Sequence, residues 1–194
     1  LVGSEMCIRD SYVLIEKDTD GYGSTADIED GNNNRIPVSG FTGTVDALGK
    51  DFLDTQLGRL SGQVRFDEEA DGELSDAESG VTGAVIELWS DPNGDGDPSD
   101  GVLLDTVTTD GDGNFVFDDL LPGAYVLIEQ DPSGFSSTND VTGGDANQIG
   151  AIVTAGQESS GNDFLDTAAG TAVADISGQV RNDLDADGDF TDPD

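Results

Sequence analysis

Three stretches of this 194-residue chain occur twice. YVLIEKD at Tyr12 returns as YVLIEQD at Tyr125, DFLDT at Asp51 returns at Asp163, and SGQVR at Ser61 returns at Ser177, with offsets of 113, 112 and 116 residues. Such a period is too long for a solenoid unit and suits whole domains in tandem, since independent domains most often run about 100–150 residues. The last offset is the largest because QLGRL, between DFLDT and SGQVR, becomes AAGTAVADI in the second copy, which marks a linker. The chain therefore reads as the C-terminal part of one repeat (12–55), a complete repeat (60–167), a linker (168–175) and the N-terminal part of the next repeat (176–194). The parent protein is expected to be longer.

The opening LVGSEMCIRDS has the look of a translated sequencing-adapter remnant, so residues 1–11 are set apart as non-native and the fold is read from Tyr12 onward. That segment holds the chain's one cysteine, Cys7, which leaves the repeats without disulfides. Within the complete repeat, SGQVRF, GAVIELW, GVLLDTVTT, GNFVFDDL, AYVLIEQ, NQIGAIVTA and DFLDT recur at strand-like spacing. Val85, Phe115, Phe117, Tyr125, Leu127, Ile149 and Val153 give them β-branched or aromatic residues with partial period-two alternation, and DGDGN and LPGA supply the turns. Strands at this spacing predict an all-β fold, a two-sheet antiparallel β-sandwich with Trp89 and the phenylalanines in its core. No run of about 20 apolar residues offers a membrane span.

Acidic residues outnumber basic ones 42 to 7, for a net charge of −35. That balance argues against nucleic acid and anionic membrane as partners and invites multivalent cations. Charges a few ångströms apart repel by about 1–4 kcal/mol per pair at surface dielectric values, so acidic loops resist compaction unless something neutralises them. DEEADGELSDAE places Asp67, Glu69 and Asp71 at positions 1, 3 and 5 of a D-x-[DN]-x-[DN]-G-x5-E calcium loop, with Gly72 at position 6. Glu73 would contribute its carbonyl, Ser75 a water-mediated contact and Glu78 the bidentate twelfth ligand. DLDADGDFTDPD repeats the spacing with Asp183, Asp185, Asp187, Gly188, Asp189 and, at position 12, Asp194. A third loop, DPNGDGDPSD, alternates Asp91, Asn93 and Asp95 ahead of Gly96 and Asp97. Its position 12 is Val102, so Asp100 or a distant residue would have to close the shell. DGDGN, from Asp110 to Asn114, reads as hairpin-turn chemistry. Oxygen ligands without His or Cys point to a hard cation, calcium before magnesium.

The order SGQVRFDEEADGELSDAESGVTGAVIELW, then TTDGDGNFVFDDLLPGAYVLIEQDPSGF, is similar to the collagen-adhesin B-type (Cna B) domains of bacterial surface proteins, especially the calcium-binding B domains of the serine-aspartate repeat (Sdr) adhesins. The resemblance implies a transthyretin-like Greek-key sandwich used in tandem as a stalk, extracellular or at the cell surface. It also implies that the carboxylates from Asp67 to Glu78 are ligands. Many Cna B-type domains carry a Lys to Asn or Asp isopeptide bond whose lysine lies on the first strand. Here that strand has Arg65, and no lysine occurs between 56 and 175, since Lys17 and Lys50 belong to the preceding copy. Calcium is left as the evident cross-linker.

Catalysis is not expected: the chain has no His, and its acids cluster in loops at metal spacing. A carbohydrate- or protein-binding sandwich of an extracellular multidomain enzyme is the alternative. A dockerin-like anchor is disfavoured because GVLLDTVTT after the second loop is strand-like. Expected partners are calcium ions and neighbouring repeats of the same chain, with filament assembly and a surface ligand left open.

Overall fold

A computed structural model of the chain describes residues 10–28, 31–41, 47–75 and 77–170. Strands follow one another along it: β1 (Asp10–Ile15), β2 (Tyr22–Asp27), β3 (Arg35–Phe41), β4 (Phe52–Gln56), β5 (Gly58–Phe66), β6 (Ser79–Gly80), β7 (Val85–Ser90), β8 (Leu103–Thr108), β9 (Asn114–Leu120), β10 (Gly123–Gln130), β11 (Phe135–Asp140), β12 (Gln148–Val153), β13 (Glu158–Ser159) and β14 (Phe164–Ala168). The first strand begins at Asp10, which pairs with Phe41, so the ordered fold reaches two residues into the segment set apart as non-native.

Residues 58–168 form a β-sandwich. One sheet has the order β12-β10-β7-β8, and the other runs β11-β14-β5-β13 with β6 and β9 also paired to β5. The inward residues of both sheets meet in one cluster: Leu60, Val64, Phe115, Phe117 and Phe164 from the second, and Ile86, Leu88, Tyr125, Leu127 and Ile149 from the first. Period-two alternation is plain in β7, where Ile86 and Leu88 are buried between half-buried Val85, Glu87 and Trp89. Trp89 therefore lies on the outer face, opposite Val126, and its indole N–H donates to Glu87 Oε2 at 2.9 Å. The expectation that Trp89 belongs to the core is corrected by that parity.

Two features go beyond an antiparallel meander. β14 runs parallel to β5, pairing Phe164 with Val64 and Asp166 with Phe66, so the sandwich is not antiparallel throughout. The DGDGN turn also joins strands of different sheets, since β8 pairs with β7 and β9 with β5. It is an inter-sheet corner rather than a hairpin. Gly113 at its end has φ of 78° and sits where a Cβ would stand 2.3 Å from the Val64 carbonyl oxygen, which only glycine permits.

The N-terminal strands reproduce part of this architecture. β1 pairs with β3 as β10 pairs with β12, Tyr12 facing Val38 where Tyr125 faces Ala151. β2 pairs with β4 as β11 pairs with β14, with ladder irregularities at Ser24/Ala26 and Ser137/Asn139. Tyr12 is 47% exposed where Tyr125 is 7% exposed.

Candidate cation sites

The acidic loop after β5 folds around its first carboxylate. Asp67 is fully buried, and its two oxygens accept from the backbone N–H groups of Asp71 (3.1 Å) and Gly72 (2.9 Å). Burial works to raise its pKa, but the Thr138 hydroxyl and the amides of Gly72, Asp71 and Ala70 outweigh that and hold it below the usual carboxylate value. β11 braces the loop a second time, because Asn139 Nδ2 donates to the Gly72 carbonyl at 2.8 Å. From the other side Arg65 Nη2 donates to the Leu74 carbonyl at 2.8 Å. Gly72 takes φ of 72°, the left-handed turn expected at position 6. Glu69, Asp71, Glu73 and Ser75 point to solvent, while half-buried Glu78 shares a cavity of about 420 Å³ with Glu69 and Glu68. The loop has the expected turn, yet among the described residues no three of its acidic side chains bring oxygens within 4.8 Å of one another.

The loop after β7 does converge. Asp91, 5% exposed, accepts from Gly94 N (2.8 Å) and Gly96 N (2.9 Å), a near-copy of the Asp67 arrangement. Asn93 Oδ1 accepts from Asp95 N at 2.9 Å, Asp95 Oδ1 from Asp97 N at 2.9 Å, and Asp97 Oδ1 from Ser99 N at 2.8 Å. This chain of side-chain-to-amide bonds winds the loop and delivers Pro98–Asp100 as one 3₁₀ turn. As a result Asp91, Asp95 and Asp100 place an oxygen each within 4.8 Å of the others. Asp100 takes the closing place that Val102, exposed and apolar, cannot fill. Asn93 Oδ1 and Asp97 Oδ1 accept from the loop's own amides, as do both oxygens of Asp91 and Oδ1 of Asp95. The corner at Asp110 is held as a turn: its Oδ1 accepts from Asn114 N and Asp112 N, both at 2.9 Å, and these bonds lower its pKa. Asp183, Asp185, Asp187, Asp189 and Asp194 lie outside the described residues.

A second kind of acidic cluster is absent from the sequence reading. Glu129, Asp131 and Asp166 bring oxygens within 4.8 Å of one another inside the sandwich. Glu129 has the inward parity of Tyr125 and Leu127 on β10, and Asp166 the parity of core residue Phe164 on β14, so the two sheets meet there through carboxylates. Glu129 is 3% exposed and Asp166 0%, and none of their four oxygens has a hydrogen-bond partner. Burial first, then Asp166 and Asp131, pushes Glu129 up to about 9. Burial and Asp131 push Asp166 up to about 7 against a lowering contribution from Ser137. The signal in the sequence was present: YVLIEKD/YVLIEQD and DFLDT, two of the pieces that recur, carry these three acids, Glu129 and Asp166 on strands among apolar residues and Asp131 just past the end of β10.

A family model described as SdrD B-like domain matches residues 58–167. The chain belongs to that family. Serine-aspartate repeat-containing protein D of Staphylococcus aureus (strain Newman) is 32% identical over 121 residues, which is 59% of this chain and 9% of that protein. The fibrinogen-binding protein of Staphylococcus epidermidis is 29% identical over 145 residues, 71% of this chain and 12% of that protein. The SdrD B-like chain thus spans about a tenth of the length of these relatives. Among solved structures it is similar to the shaft pilin spaA from Lactobacillus rhamnosus GG, with a TM-score of 0.45 at 9% identity over 58% of this chain and 52% of that one. The minor pilin GBS52 of Streptococcus agalactiae gives 0.40 at 16% identity over 79% and 61%.

Proposed function

We propose that this SdrD B-like chain is a calcium-stabilised structural repeat, a stalk or spacer, of an adhesin-like protein exposed outside the cell or on its surface. The observation that carries the calcium reading is the convergence of Asp91, Asp95 and Asp100 around a loop already wound by its own amides. Three carboxylates held that close repel one another, and a hard divalent ion with oxygen ligands turns the repulsion into attraction. The family and the tandem copies in the sequence support the spacer role.

An ion that binds the folded chain alone adds RT ln(1 + [L]/Kd) to stability, about 2.7 kcal/mol at a hundredfold excess over Kd. The full chain is therefore expected to melt higher in calcium than in chelator. Replacing Asp91, Asp95 and Asp100 together by Asn should remove the part of that rise owed to this loop. Equal melting temperatures with and without chelator would overturn the calcium reading and leave the family assignment intact.

A further inference from the structure

We propose that Glu129, Asp131 and Asp166, with the Ser137 hydroxyl and the Asn147 amide oxygen, form a divalent-cation cage between the two sheets, separate from the acidic loops and built once in each copy of the repeat. The inference extends the calcium reading to a new place but stands on its own residues.

Buried polar atoms in folded proteins are nearly always partnered. Here four carboxylate oxygens, on side chains that are 3% and 0% exposed, are without a hydrogen-bond partner, and one oxygen of each side chain lies within 4.8 Å of the other's and of an Asp131 oxygen. Asp131 differs from these two: its Oδ2 accepts the Ser137 N–H at 3.2 Å and its Oδ1 the Ser137 hydroxyl at 2.8 Å, and that hydroxyl also lies against Asn147 Oδ1. Three of the five side chains are carboxylates, and the other two offer a hydroxyl and an amide oxygen, the donor set a calcium ion takes from protein.

The backbone explains why these five meet. β10 ends at Gln130, next to Asp131; Ser137 on β11 is the register partner of Asp166 on β14; and Asn147, just before β12, accepts the Glu129 N–H on its carbonyl at 3.0 Å. The preceding copy repeats the arrangement with Glu16, Asp18 and Asp54. Ser24, the partner of Asp54 in register, has its hydroxyl against Asp18 Oδ1 (2.9 Å), Asn34 Oδ1 and Asp54 Oδ1 (3.3 Å), and Asn34 Nδ2 donates to the same Asp18 oxygen at 2.7 Å. The Glu16 N–H donates to the Asn34 carbonyl at 3.0 Å, as Glu129 does to Asn147. Residues 19–21 between β1 and β2 and residues 132–134 between β10 and β11 differ in sequence, DPSGF against DTDGY across the turn, while the five oxygen donors do not change type.

The test is calcium titration calorimetry on the full chain stripped of metal, with melting followed in calcium and in chelator. In a chain whose Asp91, Asp95 and Asp100 are Asn, calcium binding is expected to persist. Adding Glu129→Gln and Asp166→Asn should remove one equivalent, and adding Glu16→Gln and Asp54→Asn a second. Because Glu129→Gln and Asp166→Asn relieve buried repulsion, they should leave the melting temperature in chelator unchanged or higher while reducing the rise on adding calcium; a purely structural role would lower it in both. Loss of all calcium binding on loop substitution alone would refute the cage and spare the loop reading. Loss on cage substitution alone would do the reverse. Unchanged stoichiometry and affinity in the Glu129→Gln, Asp166→Asn chain would also overturn the proposal.

Discussion

Substituting Asp67 by alanine isolates what keeps a charged loop folded when no ion is bound. Its carboxylate takes the N–H groups of Asp71 and Gly72 at 3.1 and 2.9 Å in a fully buried position. Hydrogen bonds to a charged group are worth about 1.5–3 kcal/mol each, and the freed amides of a surface loop recover part of that from water. A net loss of about 2–4 kcal/mol follows, which for a domain of this size is roughly 8–16 °C in melting temperature at about 4 °C per kcal/mol. Removing one negative charge from a chain at −35 acts in the opposite direction, so Asp71→Ala is the control. Asp71 is exposed and holds one amide, that of Glu73, at 2.9 Å, and its removal should cost within about 0.5 kcal/mol. The assay is thermal unfolding by circular dichroism in chelator. Because the folded-state pKa of Asp67 is lowered, its contribution is present above the unfolded value of 3.8 and lost as pH falls through the folded one, so the gap to wild type should close in acid. Equal shifts for Asp67→Ala and Asp71→Ala at neutral pH would refute the reasoning.

Two further outcomes are expected. In chelator, Glu129 and Asp166 hold protons in the folded state up to about pH 9 and about pH 7, whereas the unfolded chain releases them near 4.5 and 3.8. Stability from this source is full below the unfolded values and lost as pH rises through the folded ones, so the chelated chain should melt lower at pH 9 than at pH 5, and Glu129→Gln with Asp166→Asn should flatten the profile. Phe117→Ala, at a fully enclosed ring of the core, should cost about 3–5 kcal/mol in denaturant unfolding, and Trp89→Ala on the outer face clearly less.

Strands with apolar runs and partial alternation are legible in the sequence: β5, β7, β8, β9, β10, β12 and β14 each overlap a predicted stretch, β5, β7, β10 and β14 running past its end by one to three residues. β11, FSSTND, was missed because its residues are polar and its place is set by pairing with β14 and by the loop it braces through Asn139. Trp89 was misplaced because aromatic size suggested core, whereas the parity fixed by Ile86 and Leu88 puts it outside. At the loops, spacing correctly gave the left-handed glycines at 72 and 96, which are local properties. It named Asp100 or a distant residue in place of Val102 but could not choose between them, because the approach of Asp100 to Asp91 and Asp95 depends on a 3₁₀ turn. Nor could spacing find Glu129 with Asp166, which are far apart in sequence and meet only across the sandwich.

That last juxtaposition bears on how such a repeat resists pulling. With no lysine between 56 and 175, an isopeptide bond from lysine cannot tie the complete repeat. The two sheets instead share an apolar core and, at one end, carboxylates from β10 and β14 that face each other unpartnered. Left without a cation or protons, that end is a point of repulsion between the sheets. An ion bridging Glu129 and Asp166 would make it a clamp between β14, which lies beside the first strand β5, and the opposite sheet. Loop ions would stiffen the surface turns, while the cage would resist sheet separation, so single-module force measurements should separate them. Loss of the cage by Glu129→Gln and Asp166→Asn should lower the calcium-dependent unfolding force more than loss of Asp91, Asp95 and Asp100, and the reverse order would show that the mechanical tie lies in the loops.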